Sequence, residues 1–193
     1  NSAVDFLESL NTPAYKIASF ENSHLPLIKK VLSTGKPVII STGMSTLSEL
    51  DEIVKVIIES GNKNFALLKC TSNYPANPKD SNILTIPNMR DLFKCEVGLS
   101  DHTLGIGVSI ASVAQGASII EKHFTLSRKD VGVDSVFSLE PNEMQMLVIE
   151  AERAWSSLGE VRCGVVEEEK KSITFRRSIY ISKNVKKGEI LSG

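Results

Sequence analysis

Five short runs of β-branched and aliphatic residues, each followed by a segment of helical period, constrain this 193-residue chain more than any other feature. The runs cover residues 15–19, 37–42, 65–71, 96–100 and 118–124. Each is brief and mostly apolar, as strands buried on both faces are. The helical segments are 25–32, 47–58, 83–93, 105–115 and 141–158, with a further one at 2–10 ahead of the first run. In the second of them Leu47, Leu50, Ile53, Val54, Ile57 and Ile58 share one face, and Thr46 with Glu49 forms a capping box at its start. Pro141 suits a first helical turn.

A strand-helix unit repeated in this way predicts parallel strands joined by right-handed crossovers. Two closures satisfy that pattern: a doubly wound open sheet, or a (β/α)8 barrel whose first three units would precede Asn1. The strand ends favour the barrel. Lys16, Ser19, Ser41, Thr42, Thr71, Ser72, Ser100, Asp101, His102, His123 and Thr125 all fall at or near C-terminal strand ends. A barrel gathers every such end around one site, whereas an open sheet uses its switch point. The fold class expected is therefore α/β, about the last five βα units of a TIM barrel over residues 1–158. Residues 159–174, with the charge run 167–171, read as a solvated linker. Residues 175–193 read as the start of a second domain, with an alternating strand at 178–182, too short to fold alone. The chain opens at Asn1 without an initiator methionine and is read as a piece of a longer protein. Such a piece, with two open sheet edges, is expected to be inactive by itself.

Composition narrows the partners. A formal net charge of -1 and 6% aromatic residues give no footprint for nucleic acid. No apolar stretch approaches the ~20 residues a bilayer requires, so no membrane partner is expected. Cys70, Cys95 and Cys163 lack any C-x-x-C spacing, which suits a reducing cytoplasm rather than a disulfide framework.

His102 ends the fourth run and His123 the fifth. Neighbouring strands lie about 4.8 Å apart, close enough for two imidazoles to chelate one ion and leave positions open for water or substrate. The competing reading makes each a hydrogen-bonded core residue. His24 has no such partner and reads as a cap or surface group. Lys16 and Lys69 sit in apolar strands, either as anion-binding cations, as Schiff-base nucleophiles or as snorkelling edge residues. Glu21 is a candidate proton shuttle or sugar ligand, with a solvated loop carboxylate as its alternative. Asp134 lies close enough in the chain to reach the same site. Gly105-Ile106-Gly107 lacks the third glycine of a dinucleotide fingerprint, which excludes a nicotinamide site.

Several strings carry a resemblance. Tyr15-Lys16-Ile17-Ala18-Ser19, Ile40-Ser41-Thr42-Gly43-Met44, Cys70-Thr71-Ser72-Asn73-Tyr74-Pro75, Gly98-Leu99-Ser100-Asp101-His102-Thr103, Glu121-Lys122-His123-Phe124-Thr125 and Ser138-Leu139-Glu140-Pro141 are similar, in order and spacing, to the sialic acid synthase family. Ser19-Phe20-Glu21-Asn22, the 134–141 string and Phe175-Arg176-Arg177-Ser178 look most like its pseudaminic acid synthases, with N-acetylneuraminate and legionaminate synthases as close relatives.

The resemblance implies a (β/α)8 barrel followed by a small antifreeze-like (SAF) domain, in a domain-swapped homodimer. It implies a transferase that condenses phosphoenolpyruvate with an acetamido sugar, 2,4-diacetamido-2,4,6-trideoxy-altrose for the pseudaminic type. A divalent metal (Mn, Mg or Co) would be held by His102 and His123. Lys16, Ser19, Ser41 and Ser100 would hold phosphoenolpyruvate, with Ser72 where some members carry asparagine. Glu21, Tyr74 and Asp134 would line the acceptor site, and Val133 stands where many relatives have proline. A Schiff-base aldolase using Lys16 or Lys69 is the competing enzyme, insensitive to chelators.

Overall fold

The computed structural model describes residues 2–130 and 132–190. Five parallel strands pair in chain order: β1 (Tyr15–Ile17), β2 (Val38–Ser41), β3 (Phe65–Cys70), β4 (Glu96–Asp101) and β5 (Ile120–Lys122). Helices α1 (Ser2–Ser9), α2 (Leu25–Leu32), α3 (Leu47–Glu59), α4 (Thr85–Phe93), α5 (Gly107–Ala114) and α6 (Pro141–Ser157) precede, connect and follow them. The fifth strand is shorter than the apolar run suggests, because the backbone leaves the ladder after Lys122 and Phe124 bridges to Leu139 instead.

The pairing register sorts the side chains. Ile17, Ile40, Leu67 and Val97 line up across four strands, and with Tyr15, Val38 and Leu99 they fill the core under the helices. From the helices come Ile28 and Val31 of α2, Ile53 and Ile57 of α3, and Ile86 and Met89 of α4, all buried. Since successive strand residues point to opposite faces, Lys16, Ser41, Cys70, Ser100 and Glu121 fall on the other pleat. That pleat is concave. Lys16 on β1 and Glu121 on β5 are 3.2 Å apart, although four strand spacings in a flat sheet would separate their backbones by about 19 Å. The edges have curled toward one another into a half-barrel.

Two details of the helices follow from local chemistry. Thr46 accepts a hydrogen bond from the Glu49 N–H and the Glu49 carboxylate accepts one from the Thr46 N–H, so the capping box is formed. Leu47 and Ile58, however, are exposed at the rim of the α3 stripe, and only Leu50, Ile53, Val54 and Ile57 are buried. Below the sheet, the Tyr15 hydroxyl donates to Glu8 of α1 at 2.6 Å, and Lys36 pairs with the same carboxylate.

Compactness divides the chain after Leu158. In the second unit the charge run lies on a solvent-exposed 3-10 helix, Glu167–Phe175, with no buried residue. Its start is held by the Val166 N–H donating to Glu169, and a Lys170–Glu167 pair follows. The strand expected at 178–182 does not form. Ile179 and Ile181 are exposed there, and an alternating run without a pairing neighbour has no ladder to join.

Candidate active site

The concave pleat carries a connected set of polar groups. Lys16 Nζ donates to Ser41 Oγ at 2.8 Å and pairs with Glu121 Oε2 at 3.2 Å, while Ser100 Oγ donates to Glu121 Oε1 at 2.7 Å. One carboxylate thus ties together a lysine and a serine from opposite sides of the half-barrel. Beside them, the Gly43 N–H donates to Ser19 Oγ at 3.0 Å. A Cβ at Gly43 would sit 2.1 Å from Ser72 Oγ and 2.7 Å from Ser19 Oγ, so only glycine lets the turn after β2 pass between these two serines. Buried Asn22 donates to the Ser41 carbonyl and to Ser45 Oγ, fixing the path of that turn.

His102 and His123 leave the adjacent ends of β4 and β5 and face each other edge to face, with ring centroids 5.1 Å apart. His102 Nδ1 lies 3.0 Å from the Thr71 carbonyl. A carbonyl only accepts, so Nδ1 carries the proton and Nε2 offers a lone pair, the usual way a ligating imidazole is oriented. Burial disfavours the His102 imidazolium, but hydrogen bonding to Cys70 and to the Thr71 carbonyl outweighs it and raises the ring above its ordinary pKa. His123 goes the other way, lowered by burial and by the neighbouring His102. For the Cys70 thiol, burial opposes ionisation, yet hydrogen bonds from His102, Ser19 and Ser72 bring it down to about 7.

An aromatic wall borders the pair. The Tyr74 ring is 4.3 Å from His102, and Phe137 is 5.0 Å from His123. Asp134 Oδ2 lies 3.6 Å from His123 Nδ1. Among the described residues no group of three or more His, Cys, Asp or Glu side chains is arranged around a common metal position. The donor set nevertheless fits a divalent ion: two nitrogen ligands from neighbouring strands, one oriented by a carbonyl, with the remaining positions left to water or substrate oxygen.

Of the residues singled out from sequence, Lys16, Ser19, Ser41, Ser72, Tyr74, Ser100, His102, His123 and Asp134 fall on or beside this concave face. Glu21 lies on an exposed turn after β1, where its backbone is tied to Ala18 and His24. His24 is exposed ahead of α2 and its side chain caps nothing. Lys69 points to the helix layer, donating to the Cys70 carbonyl and toward Thr71 Oγ1. Sequence reasoning passed over Glu121, although strand period places it on the same side as His123. It also passed over the buried pairing of Asp101 with Lys122, which no sequence pattern announces.

The profile of the family described as NeuB family matches residues 1–162 of the chain. The N,N'-diacetyllegionaminic acid synthase of Campylobacter jejuni is 41% identical over 98% of this chain and 58% of its own length. The pseudaminic acid synthase of the same organism is 40% identical over 98% of this chain and 55% of its own. Among solved structures, an N-acetylneuraminic acid synthetase from Leptospira borgpetersenii superposes with a TM-score of 0.81 at 34% identity, over 90% of this chain and 60% of that one. The chain therefore spans little more than half the length of these curated relatives.

Proposed function

Because the chain belongs to the NeuB family, we propose that it is the substrate-bearing part of a nonulosonate synthase, which condenses phosphoenolpyruvate with an acetamido sugar and releases phosphate. The observation that carries this reading is the single concave face, where a lysine and two serine hydroxyls (Lys16, Ser41, Ser100), linked through the Glu121 carboxylate, adjoin a facing histidine pair. In this reading Lys16 and the hydroxyls of Ser19, Ser41 and Ser100 hold the phosphate and carboxylate of phosphoenolpyruvate, with Ser72 at the margin. The Tyr74 ring and the Asp134 carboxylate border the acceptor sugar, and Glu21 would have to reach it from its exposed turn. His102 and His123 would hold a divalent ion (Mn, Mg or Co), which when bound supplies Lewis-acid polarisation of the sugar aldehyde. Fixing both reactants turns a bimolecular encounter into a positioned one. C3 of phosphoenolpyruvate bonds to the aldehyde carbon, water adds at C2, and the tetrahedral adduct loses phosphate.

The whole protein would complete a (β/α)8 barrel, add an antifreeze-like (SAF) domain beyond residue 175 and assemble as a domain-swapped homodimer in the cytoplasm. For the acceptor we propose 2,4-diacetamido-2,4,6-trideoxy-altrose, on the strings shared with pseudaminic acid synthases. Identities of 41% and 40% to the legionaminic and pseudaminic enzymes support both branches about equally, so legionaminate synthesis is the second reading. The test is phosphate release by the full-length protein of which this chain is part, with each acceptor sugar and N-acetylmannosamine offered in turn, with and without chelator. Chelator-sensitive release with the altrose derivative alone is expected. Release with another sugar alone reassigns the product, and borohydride-trapped, chelator-insensitive turnover would replace the reading by a Schiff-base aldolase through Lys16 or Lys69.

A further inference from the structure

Directly behind the two histidines, on the opposite pleat, lies the most buried ion pair among the described residues. Asp101 and Lys122 are register partners at the ends of β4 and β5, one residue before His102 and His123. Lys122 Nζ lies 2.9 Å from Asp101 Oδ2, and the two side chains are 2% and 1% exposed. Every polar atom of the pair is engaged. Asp101 accepts from the Thr103 N–H and the Thr103 hydroxyl, both at 2.8 Å, and from Ser109 Oγ of α5 at 2.6 Å. Lys122 donates as well to the Thr103 carbonyl.

These contacts enclose His102. Its carbonyl accepts from the Ala76 N–H, its ring is held by Thr71, and the next residue, Thr103, is gripped at its N–H, its hydroxyl and its carbonyl by the ion pair. Lys122 carries the same constraint to β5 and so to His123, whose own carbonyl accepts from Leu139. A buried ion pair is weak evidence for stability in itself, since apolar replacements often fold as well. What this pair adds is a fixed spacing between two strand ends that β5, only three residues long, secures poorly by its ladder alone.

We propose that Asp101 and Lys122 are positioning residues that set the separation and orientation of His102 and His123 for a divalent cation. The inference rests on the metal reading given above and deepens it. Its test uses the full chain with Mn2+ and Co2+ as probes, and compares wild type, Lys122→Met, Asp101→Asn, the double variant, His102→Ala and the remote core variant Ile53→Ala. Affinity is read by calorimetry, geometry by the visible absorption of bound Co2+, and folding by circular dichroism and thermal unfolding. Lys122→Met is expected to weaken Mn2+ roughly 10- to 100-fold, as loss of outer-shell partners does, and to change the Co2+ spectrum. The double variant removes both charges, so it recovers thermal stability relative to the singles while keeping the weak, altered metal site. Ile53→Ala lowers the unfolding temperature and leaves affinity alone.

Should Lys122→Met and the double variant bind Mn2+ within twofold of wild type with an unchanged Co2+ spectrum, the positioning role is overturned while the metal reading stands. Should wild type show no binding that His102→Ala abolishes, the metal reading falls and this inference with it.

Discussion

Gly98 lies in β4, at the point where that strand meets β5. A Cβ there would stand 2.2 Å from the Ile119 carbonyl oxygen, 2.9 Å from its carbon and 2.8 Å from Leu68 Cδ2. Carbon and oxygen ordinarily approach no closer than about 3.3 Å, so the Ile119 carbonyl must retreat by roughly 1 Å. That oxygen accepts the 2.8 Å hydrogen bond from the Leu99 N–H that leads into the β4–β5 ladder. Gly98→Ala therefore combines overpacking, about 1–3 kcal/mol, with a weakened backbone hydrogen bond, about 1 kcal/mol. For a chain of this size a loss near 3 kcal/mol corresponds to a fall in unfolding temperature of roughly 6–12 °C. Gly107 is the internal control. It opens α5 with nothing within 4 Å of the place a Cβ would take, so Gly107→Ala removes backbone entropy without a clash and should stabilise by up to about 1 kcal/mol. Thermal unfolding by circular dichroism reads both. An unfolding temperature for Gly98→Ala within a degree of wild type would refute the steric argument, and so would equal losses in the two variants.

Thr46→Ala should cost about 1 kcal/mol by opening the α3 capping box, read as a lower urea midpoint at unchanged slope. The Tyr15 phenol is pushed up to about 12 by burial and by its bond to Glu8, against 10.0 for a free tyrosine. The folded state therefore keeps a proton that the unfolded chain gives up. Stability is fully present below pH 10 and is lost as pH rises from 10 to 12, a slope that Tyr15→Phe removes in a denaturation series across that window. If Lys16 holds phosphoenolpyruvate as proposed, Lys16→Met in the full-length protein removes a charged hydrogen-bond donor, a loss of about 1.5–3 kcal/mol, so KM for phosphoenolpyruvate should rise roughly 10- to 100-fold. An unchanged KM would remove Lys16 from that role.

Much of the architecture was legible because parallel strands and their helices write themselves as alternating apolar runs. Ile17, Ile40, Leu67 and Val97 are visible in the sequence alone as members of such runs. The histidine pair was legible for the same reason, since strand ends in a parallel sheet share one side. What stayed hidden depends on which pleat a residue occupies. Lys16 and Lys69 look alike in sequence, yet one faces Ser41 and Glu121 and the other faces the helices. The strand expected at 178–182 failed for a different reason, because alternation describes a face and says nothing about a neighbour to pair with. The overlong α3 stripe shows the limit of the helical period itself: Leu47 and Ile58 satisfy the repeat but lie too far round the helix to reach the sheet.

The alternation at the β4–β5 boundary also bears on how the chain avoids misfolding. Residues 100–102 and 121–123 both read inward, outward, inward, with Asp101 and Lys122 at the outward position of each. A one-residue slip of β5 would carry Glu121 and His123 into the greasy layer beneath the helices and aim Lys122 into the hollow. Neither Glu121 nor Asp101 would then find its cation, and each would be stranded as a lone buried or misplaced charge. Charge placement thereby penalises the one alignment error to which so short a strand is most exposed.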